Sequence, residues 1–161
     1  AAANGQQPLW NHALSAVASY DVYDSDTMDA VPTDLGGATA GSAAVSNLCL
    51  SCHDDTVSVG ALWNTPTGYT DPVQILSVYA GSTNAVVGSD LTNDHPVNFL
   101  YDAALVTLDG GLNDPGTLTN AVLFGGTVQC GSCHDPHDAT NAPFLVTSNT
   151  GSALCIECHA K

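Results

Sequence analysis

Three short stretches constrain this chain more than anything else in it: "CLSCH" at 49–53, "CGSCH" at 130–134 and "CIECH" at 155–159. They use all six cysteines, and a histidine directly follows each pair. Two thiols three positions apart share one side of a helical turn, where they can form thioethers with the two vinyl groups of a single haem. The next residue then offers an imidazole to the iron from the same side. A zinc ribbon would combine its Cys-x-x-Cys pairs in fours, and three Cys-Cys-His sets do not divide that way. Disulfides suit an exported chain but leave the following histidines unexplained. The motifs therefore predict three covalent c-type haems on Cys49, Cys52, Cys130, Cys133, Cys155 and Cys158, with His53, His134 and His159 as proximal ligands.

Three irons have six axial positions, and the chain has six histidines. His12, His95 and His137 match the positions left open, which predicts bis-His ligation throughout. Chain order assigns His12 to haem 1, His95 to haem 2 and His137 to haem 3; His12 is equally placed to serve a neighbouring subunit. His137 cannot serve the haem of His134. The link between them spans at most roughly 10 Å, and Pro136 pushes Asp135 out of helical geometry. It must reach a different haem and hold two haems close. Cys49 and Cys130 are 81 positions apart but Cys130 and Cys155 only 25, so haems 2 and 3 are the expected tight pair. Met28, the one competing soft ligand, lies in an acidic loop and reads as filler. Bis-His ligation amid negative charge predicts low reduction potentials.

The flanks carry a repeat. "SNLCLSCH" (46–53) and "SALCIECH" (152–159) share Ser-x-Leu-Cys-aliphatic-x-Cys-His. Ser46 and Ser152 stand at N-cap positions, which predicts short helices for the first and third motifs. In "NAVLFGGTVQC" the Gly125-Gly126 pair separates two β-like runs, a hairpin leading straight into the second motif. Candidate strands are 73–79, 96–101, 120–124, 127–130 and 143–147; 64–72 and 107–120 read as loops. No domain boundary is evident, so 1–161 is expected to be a single trihaem domain. Its fold class is a haem-organised multihaem cytochrome c, mostly coil with a few short helices and β-hairpins, the three haems forming the core. Trp10, Trp63, Phe99, Tyr101 and Phe124 are candidates to pack against the rings.

Sixteen acidic residues face a single cation, Lys161, for a net charge of −15. That balance disfavours nucleic acid and anionic membrane surfaces, and no apolar run approaches the roughly 18 residues of a membrane span. Haem propionates would find almost no cations here, so backbone N–H groups, Ser, Thr and Asn side chains, water or metal ions must meet them. Asp21, Asp24, Asp26 and Asp29 crowd one segment that is a candidate Ca²⁺ site, with a solvated acidic turn as the competing reading. The start "AAANGQQP" reads as a mature N-terminus left by a signal peptidase, implying export. Both termini are expected to be ordered.

"PLWNHALS" (8–15), "LCLSCHDDTVSVGAL" (48–62), "LTNDHPVNFLYD" (91–102), "VQCGSCHDPH" (128–137) and "FLVTSNTGSALCIECH" (144–159) together resemble the multihaem c-type cytochromes of metal-reducing bacteria, in the group with a doubled Cys-x-x-Cys-His motif. Asp55 departs from the resemblance where Gly is expected. The likeness implies electron transfer in the periplasm or beyond the outer membrane. Some members of the class polymerise into extracellular filaments with a continuous haem stack, often bridged by a distal His from the next subunit. The expected partners are thus identical subunits, other redox proteins and extracellular electron acceptors. A monomeric periplasmic or outer-surface shuttle is the alternative. A multihaem oxyanion reductase needs an open iron position and nearby cations; six histidines leave none open and Arg is absent, so no enzyme activity is expected.

Overall fold

The computed structural model describes residues 10–37, 44–70, 74–81 and 85–160. The N-terminal arm and Lys161, both expected to be ordered, lie outside the described residues. Elements are few and short, and most of the described chain is coil. The chain forms two compact units, neither of them one continuous stretch: residues through Tyr23 join Asp34–His95, and Asp24–Thr33 join Pro96–Lys161. No composition shift marks this division, because the segment 24–33 is short and as loop-like as its neighbours.

The first unit contains β1 (Asp21–Val22), α1 (Ala44–His53), α2 (Leu76–Tyr79) and β2 (Asp90–Leu91). Strands β1 and β2 pair in parallel, with Asp21 opposite Asp90 and Val22 opposite Leu91. Tyr20, Leu35, Leu50 and Leu91 are its buried apolar residues. One face of α1 is buried but polar, with Ser46, Asn47 and Ser51 all inside. Buried polar groups need partners. The Tyr20 hydroxyl donates to Asp54 Oδ2 at 2.6 Å, and Asp54 Oδ1 accepts from the Thr56 N–H and hydroxyl at 2.9 and 2.8 Å. Asp34 fastens the loop before α1, accepting from the Ser19 hydroxyl and from the Tyr20 and Gly36 N–H groups. A Cβ on Gly36 would sit 2.2 Å from the Ala18 carbonyl oxygen, so only glycine fits there.

The second unit holds β3 (Phe99–Leu100), α3 (Ala103–Asp109), β4 (Thr127–Val128), α4 (Cys130–Cys133) and α5 (Ala153–Cys158). Its core is Phe99, Tyr101, Leu105 and Val128, against which Leu112, Leu123 and Cys158 pack. Asp102 caps α3, accepting from the Ala104 and Leu105 N–H groups at 2.9 Å, and Gly110 ends it in the left-handed region at φ 67°. The Gly125-Gly126 turn has φ of 62° and 82°, and Phe124 and Thr127 exchange two backbone bonds across it. Positive φ at both central residues is what a tight hairpin demands. The expected hairpin shrinks to this one bridge, and β4 pairs antiparallel with β3 before the chain enters α4.

Several sequence-based expectations need correction. Over 73–79 the described residues 76–79 form α2 rather than a strand; short apolar runs carry no periodicity that separates the two. Within 143–147 only Leu145 makes a bridge, because Phe144 turns to φ 60° and breaks the extended run. Residues 120–124 contribute only Phe124 to a bridge, and 96–101 shrinks to Phe99–Leu100 after Asn98 at φ 60°. The loop 107–120 begins inside α3 and includes a 3₁₀ turn at Pro115–Thr117. Residues 127–130 split between β4 and the first residue of α4. Ser46 lies inside α1, not at its cap, and Ser152 holds the N-cap position of α5 without a capping hydrogen bond.

Candidate haem-attachment sites

Each motif sits at the end of a helical turn. Cys49 and Cys52 occupy the last turn of α1, which closes on His53. Cys130 and Cys133 bound α4, and His134 leaves it at φ −119°, ψ 129°. His159 leaves α5 almost identically, at φ −96°, ψ 128°. Positions i and i+3 face the same side of a helix, so each cysteine pair presents both sulfurs to one neighbour. Gln129 sets where α4 begins: its N–H donates to the Ser132 hydroxyl at 2.9 Å, and its buried amide donates to Asn98 Oδ1 and Thr127 Oγ1, both at 2.9 Å.

The second and third motifs share one architecture. After each helix the histidine forms an antiparallel bridge with a leucine, His134 with Leu145 and His159 with Leu112. The carbonyl of the second cysteine accepts an N–H from that flanking segment: Val146 to Cys133 at 3.0 Å, Asn113 to Cys158 at 2.8 Å. The residue after the histidine donates back, Asp135 to Phe144 and Ala160 to Gly111, both at 2.8 Å. Sequence similarity links the first motif with the third, whereas backbone geometry links the second with the third. Burial, and then the charges of the Cys158, Cys130 and Cys155 thiols, push the Cys133 thiol up.

The third motif carries further fastenings. The buried Tyr101 hydroxyl donates to the Asn113 carbonyl at 2.8 Å and lies 3.1 Å from the Cys158 carbonyl. Burial, and then the neighbouring Cys158, push that hydroxyl up to about 12. Asn113 Nδ2 donates to the Ile156 and Glu157 carbonyls at the end of α5. The Glu157 carboxylate gathers the N–H and hydroxyl of Thr119 and the N–H and amide of Asn120, at 2.6 to 3.2 Å. Those bonds, led by the Thr119 N–H, bring it down to about 2.

Two of the motif imidazoles have one nitrogen committed to a backbone carbonyl: His53 Nδ1 lies 2.6 Å from Ala85 O, and His134 Nδ1 lies 3.1 Å from Pro143 O. Such a bond holds the proton on Nδ1 and leaves Nε2 as the basic ligand atom. His12 is buried, with Nδ1 2.7 Å from Ala13 O, Nε2 2.9 Å from Ser58 O, and Nε2 3.7 Å from Cys52 Sγ. The Trp10 ring stands edge-on to His12, centroids 6.4 Å apart, and its buried Nε1–H has no acceptor among the described residues. The donor set itself fits haem c: two unbridged thiols on one helical turn would take its vinyl groups, and the imidazole directly after them would face its iron. His95 and His137 are exposed; an N–H bond from His137 to Asp135 Oδ1 at 2.9 Å fixes the turn between the two neighbouring histidines.

No disulfide joins the six cysteines. Burial, the leading cause each time, pushes the Cys52, Cys133 and Cys158 thiols up. Among the described residues no three or more His, Cys, Asp or Glu side chains are grouped to hold a metal ion, the candidate Ca²⁺ aspartates included. No described helix is long and apolar enough to cross a membrane.

Of the aromatic candidates, Phe99 and Tyr101 belong to the polypeptide core, Trp63 is exposed, and Trp10 stands beside His12. Asp55, the departure from glycine, adopts φ 64°, the left-handed region glycine favours. Its carboxylate accepts from the Ser77 N–H and hydroxyl at 2.8 and 2.6 Å, which anchors the side chain there. Sequence reading missed the carbonyl partners Ala85 and Pro143, the bridging Leu112 and Leu145, and the roles of Asn113 and Glu157. "CIEC" does flag Glu157 as an odd charge inside a haem motif.

The profile of the doubled CXXCH motif family matches residues 124–161, the span of the second and third motifs. No curated protein matches the chain. The chain thus carries a c-type-cytochrome-like multihaem motif, the mark of covalent haem c binding and electron transfer.

Proposed function

We propose that this chain is a three-haem electron-transfer protein without substrate chemistry of its own. Cys49/Cys52, Cys130/Cys133 and Cys155/Cys158 would hold the haems, with His53, His134 and His159 proximal and His12, His95 and His137 completing the six ligands. When bound, haem iron supplies a one-electron ferric–ferrous couple. The chain's part is to hold the imidazoles: the Ala85 and Pro143 carbonyls keep the proton on Nδ1 of His53 and His134. His12 is buried near Cys52, and its ligation of the first haem within its own chain would take Nε2 away from the Ser58 carbonyl. The neighbouring thiols of the second and third motifs support a close pair of haems.

The observation carrying the proposal is the recurrence of a cysteine pair on one helical turn with a histidine at its end, three times in one chain. Haem counting by pyridine haemochrome and peptide mass spectrometry, joined to optical spectra, tests it. Three haems, all low-spin, are expected; fewer, or a high-spin resting haem, overturn it.

We further infer that the chain assembles with copies of itself into an extracellular conductive filament. The resemblance to filament-forming cytochromes supports this reading. A net charge of −15 favours the monomeric shuttle, since like-charged subunits repel. Electron microscopy at low and moderate salt decides: filaments are expected, and discrete particles under every condition refute them.

A further inference from the structure

Phe144 combines two features that polypeptide packing leaves uncompensated. Its backbone takes φ 60°, a region that crowds any residue with a Cβ and is rare for an aromatic one. The residue is 47% exposed, so burial within the chain does not offset that strain. Strained residues of this kind persist where surrounding structure imposes them, and they gather at functional sites.

The surrounding structure here is the second haem motif. Phe144 follows Pro143, whose carbonyl faces His134 Nδ1 at 3.1 Å. Its own carbonyl accepts the Asp135 N–H at 2.8 Å, and Val146 N–H reaches the Cys133 carbonyl at 3.0 Å. Three hydrogen bonds therefore tie the segment carrying this ring to Cys133, His134 and Asp135. The third motif provides an internal control. There the same brace has Gly111 in the place of Phe144, so the bridge itself does not require an aromatic.

We propose that Phe144 is a positioning residue whose ring covers the haem carried by Cys130, Cys133 and His134, shielding it from water. This rests on the reading of the second motif as a haem site. The large apolar surface able to cover the ring is then the macrocycle attached next to it. Because the third motif lacks an equivalent ring, and its Gly111 is not in the left-handed region, the two haems are inequivalent despite matching hydrogen-bonded braces. Shielding disfavours the charged ferric state, so the second haem is the one whose potential Phe144 raises.

The haem-loaded protein is compared with Phe144→Gly and Phe144→Trp by spectroelectrochemical titration, NMR of the hyperfine-shifted haem methyls, and denaturant midpoint. Glycine removes the backbone strain, so an uncovered ring predicts a higher midpoint with unchanged titration. The cover predicts instead that Phe144→Gly shifts one haem to lower potential and moves one haem's methyl resonances, leaving the others in place, while Phe144→Trp keeps both near wild type. Unchanged potentials and resonances in Phe144→Gly overturn the proposal, as does an effect limited to self-association. Mass spectrometry of the peptide containing Cys130–His134 separates the failures: without haem there, the reading of the second motif falls, and this inference with it.

Discussion

Tyr101→Phe removes a single buried hydroxyl and leaves the ring in place in the core of the second unit. The ring is 3% exposed, so water cannot replace the lost bond. The Cys158 carbonyl keeps the Asn113 N–H at 2.8 Å, but the Asn113 carbonyl loses the donor it has at 2.8 Å. A buried hydrogen bond lost on one side costs about 1–2 kcal/mol, or about 2–8 °C in Tm for a chain of this size. The pH dependence makes the test specific. Burial pushes the folded Tyr101 hydroxyl up to about 12 from its ordinary 10.0, so it favours the fold fully below pH 10. That contribution drains away as pH rises from 10 through about 12 and amounts to at most about 3 kcal/mol. Phenylalanine has nothing to titrate. Guanidinium unfolding of the haem-loaded proteins should show wild type ahead at pH 8, with the gap closed near pH 12. Equal midpoints at pH 8, or a gap that ignores pH, would refute the reasoning.

Glu157→Gln tests the opposite limb. A carboxylate held at about 2 contributes stability above its unfolded value of 4.5 and loses it as pH falls toward 2. Screening at this half-buried position limits the effect to about 1 kcal/mol, so the variant should trail wild type at pH 7 and match it near pH 2 in the same assay. Tyr20→Phe removes a 2.6 Å bond to the buried Asp54 carboxylate and should cost about 1.5–3 kcal/mol, the usual worth of a hydrogen bond to a charged group; calorimetry of the haem-loaded protein reads it. Gly36→Ala would force a methyl to 2.2 Å from the Ala18 carbonyl oxygen. The chain must shift at a cost of about 1–3 kcal/mol, visible as a lower denaturant midpoint.

What could be read from the residues was local. The first and third motifs are on short helices and the Gly125-Gly126 hairpin leads into the second, because turn chemistry and i, i+3 spacing are written in neighbouring residues. The braces were not legible. Pro143, Ala85 and Gly111 act through backbone carbonyls, which any residue supplies, so no side chain announces them. Residues 76–79 show the other limit: "LSVY" is apolar enough for a strand, yet it forms a helical turn. Positive φ at Asp55, Asn98 and Phe144 interrupts stretches whose composition suggests none of it.

The matched braces of the second and third motifs differ in how much chain they enclose. His134 and Leu145 are 11 residues apart, and Leu112 and His159 are 47. Closing the larger loop costs about 1.3 kcal/mol more in chain entropy, so with equal bonds the third brace would open first. It does not have equal bonds: the Tyr101 hydroxyl, the Asn113 amide and the Glu157 carboxylate all fasten around α5. The extra polar ties fall on the long-range closure, and the short-range one does without them. In contact-order terms, the last motif of the chain is a long-range closure, and the ties that offset its chain entropy sit where that entropy is largest.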